Sequence, residues 1–235
     1  MSDSVFITGA DRGLGLALVR QFVDEGFLVF AGQYGPDGAL GRLGEQFPVQ
    51  LRVIPQDVTD PTSVSESVRR VAEASDSLDI LINNAGVFFS QTKLPLPEVD
   101  LEDGHLESMM DVNAFGPLRV TRQFLPLLEN GRLKRIVNIS SEAGSIEDCG
   151  RESWFGYCMS KAALNMQCGI LQRHLKPKGF KVLAIHPGWL RTDMGGPEAD
   201  LDPDVSAKAI VALATRSWSL DDPIYMDYTG KSLNW

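Results

Sequence analysis

A glycine-rich turn near the start of the sequence joins a short apolar segment to a helical pattern. The apolar segment is residues 5–7, the turn occupies residues 8–15, and Leu14, Leu18 and Phe22 recur at helical spacing. This periodicity predicts an amphipathic helix behind a buried strand. The order of strand, glycine turn and helix constrains the fold more than any other feature, because it specifies the start of a parallel βαβ unit.

Each glycine of the turn has a separate physical role. Gly9 allows the tight turn, Gly13 lets the backbone approach a pyrophosphate, and Gly15 allows close packing of the helix on the strand. The N–H groups and the dipole at the helix N-terminus favour an anionic ligand. The spacing G-x-x-x-G-x-G therefore predicts a dinucleotide site, although a glycine-rich turn that binds nothing has the same local appearance.

Strand and helix patterns alternate along the rest of the chain. Strands are predicted at residues 27–31, 49–54, 78–82, 135–139 and 182–185, with a short strand near 224–226; those at 27–31 and 78–82 read as buried. Helices are predicted from Asp60-Pro61 onward and at residues 106–128 (interrupted at Gly116-Pro117), 157–175 and 205–214. Residues 33–44 are predicted to form a loop with at most a poor short helix. This order predicts an α/β fold in a single domain, residues 1–235, with a doubly wound parallel sheet and helices on both faces.

Tyr157 and Lys161 form a second motif that indicates chemistry. They are four residues apart in a predicted helix, so the phenol and the ammonium project from one face. A free phenol, with a pKa near ~10, is a weak base at neutral pH, and a neighbouring cation lowers that pKa. Such a tyrosine can exchange a proton with a carbonyl or an alcohol. By itself the pair is more typical of a half-buried tyrosine beside a lysine that reaches solvent.

Composition and charge argue against several classes of protein. Lys and Arg number 22 against 31 Asp and Glu, for a net charge of -9, and no basic patch of the kind that binds nucleic acid is visible. The longest apolar run, residues 209–214, is far shorter than the ~20 residues that span a membrane. Three scattered cysteines and three scattered histidines disfavour disulfides and metal sites. We expect a reduced, soluble, cytoplasmic protein with no nucleic acid, membrane or metal partner.

Several short motifs, in their order and spacing, resemble the short-chain dehydrogenase/reductase family over nearly the whole chain. They are Thr8-Gly9-x3-Gly13-x-Gly15, Asp57-Val58, Asn83-Asn84-Ala85-Gly86, Asn113, Ile139-Ser140-Ser141, Tyr157-x3-Lys161 and Pro187-Gly188-Trp189-Leu190-Arg191-Thr192. Residues 186–196 and the closing residues 228–235 resemble the C-factor and Sniffer-type carbonyl reductase branch. The resemblance implies a Rossmann-type fold and hydride transfer between a nicotinamide cofactor and a carbonyl or alcohol.

The resemblance also implies a catalytic set. Tyr157 would be the general acid/base, and Lys161 would bind the ribose hydroxyls of the cofactor and lower the tyrosine pKa. Ser141 would hydrogen-bond the substrate oxygen; its neighbour Ser140 points to the opposite face of an extended strand, so only one of the two can serve. Asn113 would hold a water that connects Lys161 to solvent, the alternative being an asparagine that simply faces solvent.

The cofactor site implied by the resemblance draws on both halves of the chain. Asp57 and Val58 would clamp the adenine, and Thr192 would hydrogen-bond the nicotinamide carboxamide. Asn84 and Gly86 would line the ribose side. The full implied set is Gly9, Arg12, Gly13, Leu14, Gly15, Gln33, Asp57, Val58, Asn84, Gly86, Tyr157, Lys161, Pro187, Gly188, Leu190 and Thr192.

The end of the second predicted strand indicates which dinucleotide is bound. NAD enzymes of this fold commonly carry an acidic residue there, bonded to the ribose 2′-OH. This chain has Gly32 followed by Gln33, and nothing in that stretch repels a 2′-phosphate. Arg12, in the glycine turn, is placed to hold the phosphate through two parallel hydrogen bonds. We therefore expect NADP, with NADPH preferred and NAD possible.

The implied activity is reduction of a small hydrophobic ketone or aldehyde, or oxidation of the corresponding alcohol. The apolar residues expected in the pocket are Val87, Phe88, Phe89, Ile146, Trp154, Trp189 and Met194. The acidic, bulky segment 142–155 departs from the small-residue loop of the family. No long insertion precedes Tyr157, so a homodimer or homotetramer is expected. The alternative function is a dinucleotide-binding sensor of the C-factor type, and the complete catalytic set argues against it.

Overall fold

The computed structural model describes residues 2–36, 38–89 and 93–235. In these residues seven strands form one sheet in the order β3-β2-β1-β4-β5-β6-β7, and every neighbouring pair is parallel. The strands are β1 (Ser4–Ile7), β2 (Leu28–Gln33), β3 (Leu51–Pro55), β4 (Ile80–Asn83), β5 (Arg135–Ile139), β6 (Lys181–His186) and β7 (Tyr225–Asp227). The predicted doubly wound parallel sheet is confirmed.

Helices cover both faces of the sheet. They are α1 (Gly13–Asp24), α2 (Ala39–Gln46), α3 (Pro61–Ala72), α4 (His105–Met110), α5 (Gly116–Asn130), α6 (Phe155–Leu175) and α7 (Pro203–Thr215). Because side chains alternate along a strand, Val5 and Ile7 join the core beneath α1 and α7, whereas Phe6 joins the opposite core and its ring lies 4.4 Å from that of Phe124. No helix in the described ranges is long and apolar enough to cross a membrane.

The strand order determines where a ligand can bind. From β1 the chain runs outward to β2 and β3, then returns to place β4 on the other side of β1. The connections that follow β1 and β4 therefore leave in opposite directions, which opens a crevice at the carboxyl ends of these strands. The glycine turn follows β1 and Asn84 follows β4, so both lie at this crevice.

Two helical regions differ from the sequence predictions. Within the predicted loop at 33–44, the helix α2 begins at Ala39 and runs past Gly44; residue 37 lies outside the described residues. The helix predicted at 106–128 is divided by a π-helical turn, Asp111–Phe115, that ends directly before Gly116. The predicted start of α3 is correct, because Asp60 caps it through Thr62 N–H at 2.8 Å.

Helix α7 is fixed at both ends. The guanidinium of Arg135, at the start of β5, donates to the carbonyl oxygen of Ala214 at 3.0 Å in the last turn of the helix. In the first turn, Ser206 Oγ donates to the carbonyl oxygen of Pro187 at 2.7 Å. Since Pro187 directly follows β6, these bonds hold the helix against the sheet and against the base of the loop that precedes it.

Candidate active site

A cleft of about 1160 Å³ lies at the carboxyl ends of the strands. Its wall runs from the end of β3, past the glycine turn and the end of β4, to the start of α6 and the loop after β6. The predicted site residues on this wall are Gly9, Arg12, Gly13, Leu14, Asp57, Val58, Asn84, Gly86, Ser141, Tyr157, Lys161, Pro187, Gly188, Leu190 and Thr192. Three predicted residues do not line it: Gly15, Gln33 and Asn113.

Hydrogen bonds hold the glycine turn against the end of β4. Thr8 Oγ1 accepts from the backbone N–H groups of Asn84 at 3.0 Å and Ala85 at 2.9 Å. The side-chain amide of Asn84 donates to the carbonyl oxygens of Thr8 and Gly9, both at 2.9 Å. A Cβ atom on Gly15 would lie 2.1 Å from the Gly9 carbonyl oxygen, so only glycine allows this packing. Asn84 therefore fixes the shape of the turn, besides lining the cleft.

Ser141, Tyr157 and Lys161 come together where β5 ends and α6 begins. The Ser141 hydroxyl oxygen accepts from the Ala143 N–H at 3.1 Å, and the Ser141 side chain stands near enough to the Tyr157 phenol to influence its pKa. Lys161 is buried; its Nζ donates to the Ile139 carbonyl oxygen at 2.9 Å and lies 5.7 Å from the centre of the Tyr157 ring. A hydroxyl, a phenol and an ammonium thus line the same end of the cleft.

Burial dominates the ionisation of these side chains. Loss of water around the phenol raises the pKa of Tyr157 to about 12, although the neighbouring Ser141 side chain acts to lower it. Burial lowers the pKa of Lys161 to about 8, because the charged ammonium is poorly solvated. The sequence predicts a lowered tyrosine pKa. In the structure the pKa is raised instead, because burial outweighs the other effects and the Lys161 ammonium is bonded to Ile139. A phenol that keeps its proton can act as a proton donor.

The structure separates the two adjacent serines as expected for an extended segment. Ser140 is buried, and its hydroxyl donates to Asn165 Oδ1 at 2.6 Å. The amide of Asn165 in turn donates to the Gly144 carbonyl oxygen at 3.1 Å. Ser140 is therefore part of the packing between β5 and α6, whereas Ser141 is the serine that meets Tyr157.

Asn113 lies in the π-helical turn between α4 and α5, and its side chain is fully buried. Its Oδ1 accepts from the Val87 N–H at 2.8 Å, while its Nδ2 donates to the Val87 carbonyl oxygen at 2.9 Å and to Ser160 Oγ at 3.1 Å. The amide thus joins the segment after β4 to α6. A Cβ atom on Gly86 would lie 3.3 Å from Asn113 Oδ1 and 3.8 Å from Lys161 Nζ, so glycine leaves the space between them open. The alternative of a solvent-facing asparagine is wrong.

The opposite end of the cleft lies beside the end of β3. Asp57 Oδ1 accepts from the backbone N–H of Thr59 at 2.8 Å and from its hydroxyl at 2.7 Å, which commits one carboxylate oxygen to the local turn. Asp57 and Val58 line the cleft, as expected of an adenine clamp. Gln56 also lines it, and both of its side-chain amide atoms are buried without a hydrogen-bond partner among the described residues. No pattern in the sequence pointed to Gln56.

Near the end of β2, where a 2′-phosphate is expected to bind, the structure differs from the sequence prediction. Gln33 is the buried last residue of β2, and its amide donates to the Gly35 carbonyl oxygen at 3.0 Å, so the structure does not bring it to the cleft. An acidic group does stand near this strand end, because Asp11 Oδ1 accepts from the Tyr34 N–H at 3.4 Å. Arg12 is exposed on the cleft wall, and its side chain forms no hydrogen bond or ion pair within the part of the chain that the structure describes.

The loop after β6 closes over the glycine turn. A Cβ atom on Gly13 would lie 3.2 Å from Thr192 Cγ2, so the turn and the loop are nearly in contact. Leu190 and Leu201 form a parallel bridge that brings the two ends of residues 191–200 together. These residues therefore form a closed loop with a narrow base, which we call the cleft loop.

An aromatic wall adjoins Tyr157. The ring centre of Phe88 lies 5.1 Å from the ring centres of both Tyr157 and Trp154. Trp154 has a φ of 69°, which is rare for a bulky side chain and typical of strained backbone at functional sites. Two cations flank the Trp154 ring: Lys93 Nζ lies 4.7 Å and the Arg151 guanidinium 5.1 Å from its centre. The pocket is therefore less apolar than the sequence indicated.

Most of the apolar residues expected in the pocket are on the cleft wall. They are Val87, Phe88, Phe89, Trp154, Trp189 and Met194. Ile146 is not among them; it is 80% exposed and lies outside the cleft. The acidic segment 142–155 contributes an ion pair, Glu142 Oε1 to Arg151 at 2.6 Å, and both residues line the cleft.

Comparison with known proteins identifies the family. A model of the short chain dehydrogenase family matches residues 3–201. The chain therefore belongs to the short-chain dehydrogenase family and is an NAD(P)-dependent oxidoreductase. Among curated proteins it is similar to C-signal of Myxococcus xanthus, at 38% identity over 158 residues that cover 67% of this chain and 93% of that protein.

Solved structures of carbonyl reductases match the whole chain. The carbonyl reductase from chicken fatty liver, solved with bound NADPH, is 31% identical with a TM-score of 0.89, over 100% of this chain and 99% of that one. The carbonyl reductase Sniffer of D. melanogaster is 27% identical with a TM-score of 0.92, over 100% of both chains. The resemblance inferred from the motifs is thus confirmed, including the relation to C-factor and Sniffer-like proteins.

The residues of the cleft fit a nicotinamide dinucleotide. Gly9 and Gly13 have positive φ values of 59° and 51°, and a Cβ atom on Gly9 would lie 2.8 Å from Ala85 Cα. Their backbone is therefore exposed to the cleft at the start of α1, where N–H groups favour phosphate. The unpartnered amide of Gln56 at one end and the hydroxyl and ammonium groups near Tyr157 at the other supply polar partners for the two ends of such a molecule.

Proposed function

We propose that this protein is an NADPH-dependent carbonyl reductase acting on a small hydrophobic ketone or aldehyde. The proposal rests on the meeting of Ser141, Tyr157 and Lys161 at one end of a cleft that fits a dinucleotide. Hydroxyl donors beside a buried ammonium suit the negative charge that develops on a carbonyl oxygen during reduction. The same residues would serve the oxidation of an alcohol, and the ratio of oxidised to reduced cofactor in the cell sets the direction.

Each member of the catalytic set has a role in this proposal. The substrate oxygen binds between the hydroxyls of Ser141 and Tyr157, and the Tyr157 phenol donates its proton to that oxygen. The bound cofactor supplies the hydride. Lys161 holds the ribose hydroxyls and stabilises the phenolate left after proton transfer. Asn113 is a positioning residue, which holds the segment after β4 against α6 and binds the water that reconnects Lys161 to solvent.

The preference for NADPH is supported by Arg12. Its side chain has no partner among the residues described and lies on the cleft wall, where it would pair with the 2′-phosphate. Asp11, on the same wall, would repel that phosphate. Because Arg12 would attract the 2′-phosphate and Asp11 would repel it, we expect a moderate preference for NADPH, with NADH still usable. The NADPH bound to the chicken carbonyl reductase, a 31% identical relative, supports the same choice.

We further propose that residues 1–235 act as one domain in a cytoplasmic homodimer or homotetramer. Only 15 residues, 142–156, separate Ser141 from Tyr157, too few to cover the outer faces of α5 and α6. Those faces expose large apolar side chains, among them Leu118 on α5 and Met166 and Ile170 on α6. Exposed apolar groups of this kind are typical of surfaces that a second subunit covers.

A panel of aromatic and aliphatic ketones and aldehydes, assayed with NADPH and with NADH, tests the proposal. Tyr157→Phe keeps the ring and removes the proton donor, so kcat should fall by about 10²–10⁴-fold while the Kd for NADPH changes little. Ser141→Ala should also lower kcat. Ser140→Ala is the matched control: it removes a buried hydrogen bond to Asn165 and should affect stability rather than kcat.

Two results would contradict this function. If Tyr157→Phe kept most of the turnover, the phenol would not be the proton donor. If NADPH bound tightly but no carbonyl in the panel were reduced, the protein would instead match the sensor of the C-factor type, whose catalysis is incidental.

A further inference from the structure

Gln56 carries the most conspicuous unsatisfied polar group on the cleft wall. It directly follows β3, it is only 5% exposed, and neither its Nε2 nor its Oε1 has a hydrogen-bond partner in residues 2–36, 38–89 and 93–235. Native proteins rarely leave both atoms of a buried amide unpaired, because the desolvation cost is not recovered. Gln56 is one of the residues on the cleft wall, beside the space that a bound molecule would occupy.

The end of β2 is shaped to accommodate this amide. A Cβ atom on Gly32 would lie 2.7 Å from Gln56 Oε1, so any side chain at position 32 would displace it. The backbone of Gln56 is fixed as well, since its N–H donates to the Gln33 carbonyl oxygen at 2.7 Å. The lack of a side chain at Gly32 therefore leaves the space that the Gln56 side-chain amide, at the end of the neighbouring strand, occupies.

The sheet order places Gln56 at the adenosine end of the cleft. The order β3-β2-β1-β4-β5 puts the end of β3 three strands away from β4 and four from β5, after which Ser141 follows. The phosphate-binding turn follows β1, which lies between them. Asp57, next to Gln56, has one carboxylate oxygen already bonded to Thr59. The amide of Gln56 thus adds a hydrogen-bond donor and an acceptor beside a carboxylate that is partly committed to Thr59.

We propose that Gln56 recognises the adenine ring of the cofactor through its side-chain amide, as a specificity residue. A glutamine amide presents a donor and an acceptor side by side, and adenine offers the matching pair at N7 and the N6 amino group. A 2′-phosphate presents acceptors only and would leave Oε1 unpaired. The proposal deepens the proposed function and rests only on its nicotinamide dinucleotide, not on the carbonyl substrate.

The test is Gln56→Met, which keeps the length of the side chain and removes both polar atoms. The cofactor-free variant should melt about 2–4 °C higher, because an unpaired buried amide has been removed. Its Kd for NADPH and its Kd for NADH, measured by calorimetry without substrate, should both rise about tenfold. The preference for NADH over its hypoxanthine analogue, which has a carbonyl in place of the adenine amino group, should fall by a similar factor.

Gln172→Met is the matched control. Gln172 is a buried glutamine far from the cleft, and both amide atoms are bonded: Nε2 to the Phe180 carbonyl oxygen at 3.3 Å and Oε1 to the Val182 N–H at 2.7 Å. Its replacement should lower the melting temperature and leave both Kd values unchanged. Gly32→Ala tests the same site without changing Gln56. The new Cβ would push the Gln56 amide aside, so the Kd values for both NADPH and NADH should rise.

Unchanged Kd values in Gln56→Met would overturn the proposal, since the amide would then have no ligand. A rise in the Kd for NADPH with no change in the Kd for NADH would also overturn it, because the amide would then contact the 2′-phosphate rather than the adenine. Failure of the carbonyl panel would leave these binding results unaffected, so the two proposals fail separately.

Discussion

Replacing Lys161 by methionine should stabilise the cofactor-free protein relative to the wild type at neutral pH and, in the same variant, abolish turnover. The ammonium is buried at 5% exposure, and its hydrogen bond goes to a neutral acceptor, the Ile139 carbonyl oxygen. A buried charge that faces a neutral partner is held at a cost in folding free energy. Methionine fills a similar volume without a charge.

The size of the effect follows from the pKa. Burial lowers the pKa of Lys161 from 10.5 to about 8, and each pKa unit corresponds to about 1.4 kcal/mol. The unfolded chain therefore binds the proton more favourably by about 3 kcal/mol, and the folded protein carries this full cost below pH 8. Between about pH 8 and 10.5 the unfolded state still holds a proton that the folded state has released, so stability rises with pH. The unpaired Ile139 carbonyl in the variant costs about 1–3 kcal/mol at every pH.

Urea denaturation of both proteins from about pH 7 to 11 measures this difference. We compare the two free energies of unfolding by subtracting the wild-type value from that of Lys161→Met. This difference should fall by about 3 kcal/mol from the lowest to the highest pH, because the cost at Ile139 is the same at every pH and does not affect the change. Lys208→Met, an exposed position on α7, controls for the removal of one positive charge. A difference that does not change with pH would refute the view that the ammonium is buried at a cost.

The remaining predictions concern cofactor choice and assembly. The wild type should prefer NADPH to NADH by roughly one to two decades in kcat/KM, and Arg12→Ala should remove most of that gap with NADH kinetics nearly unchanged. Asp11→Asn should widen the gap, because it removes a carboxylate from the same wall; equal kinetics with both cofactors in the wild type would refute the argument. Light scattering should give the mass of a dimer or tetramer, and a monomer mass over a wide concentration range would contradict the assembly.

Features that depend on local pattern could be predicted from the sequence. The strand Arg135–Ile139 has the predicted bounds, and Tyr157 and Lys161 do share one face of α6. The glycine turn joins β1 to the first turn of α1 as predicted. In each case the signal is a short run of residues whose spacing or conformational freedom decides the local structure by itself.

Features that depend on contacts between distant segments could not be predicted. The extension of β2 comes from its pairing with β3, which buries Gln33 in the sheet and removes it from the cleft. The π-helical turn around Asn113 is supported by bonds to Val87 and Ser160, which are distant in sequence. The space that Gly32 leaves for Gln56 likewise exists only once two strand ends are neighbours. No spacing rule within one segment contains this information.

The cleft loop has a consequence for how the enzyme turns over. It carries Thr192, proposed to contact the cofactor, and Met194, which lies on the wall near the expected substrate. Because Leu190 and Leu201 join its two ends, we expect residues 191–200 to move together relative to α7, which is fixed at both ends. We therefore expect product release and loosening of the nucleotide to accompany the same movement, and a substitution that weakens the base of the loop to raise the Michaelis constants of both reactants together.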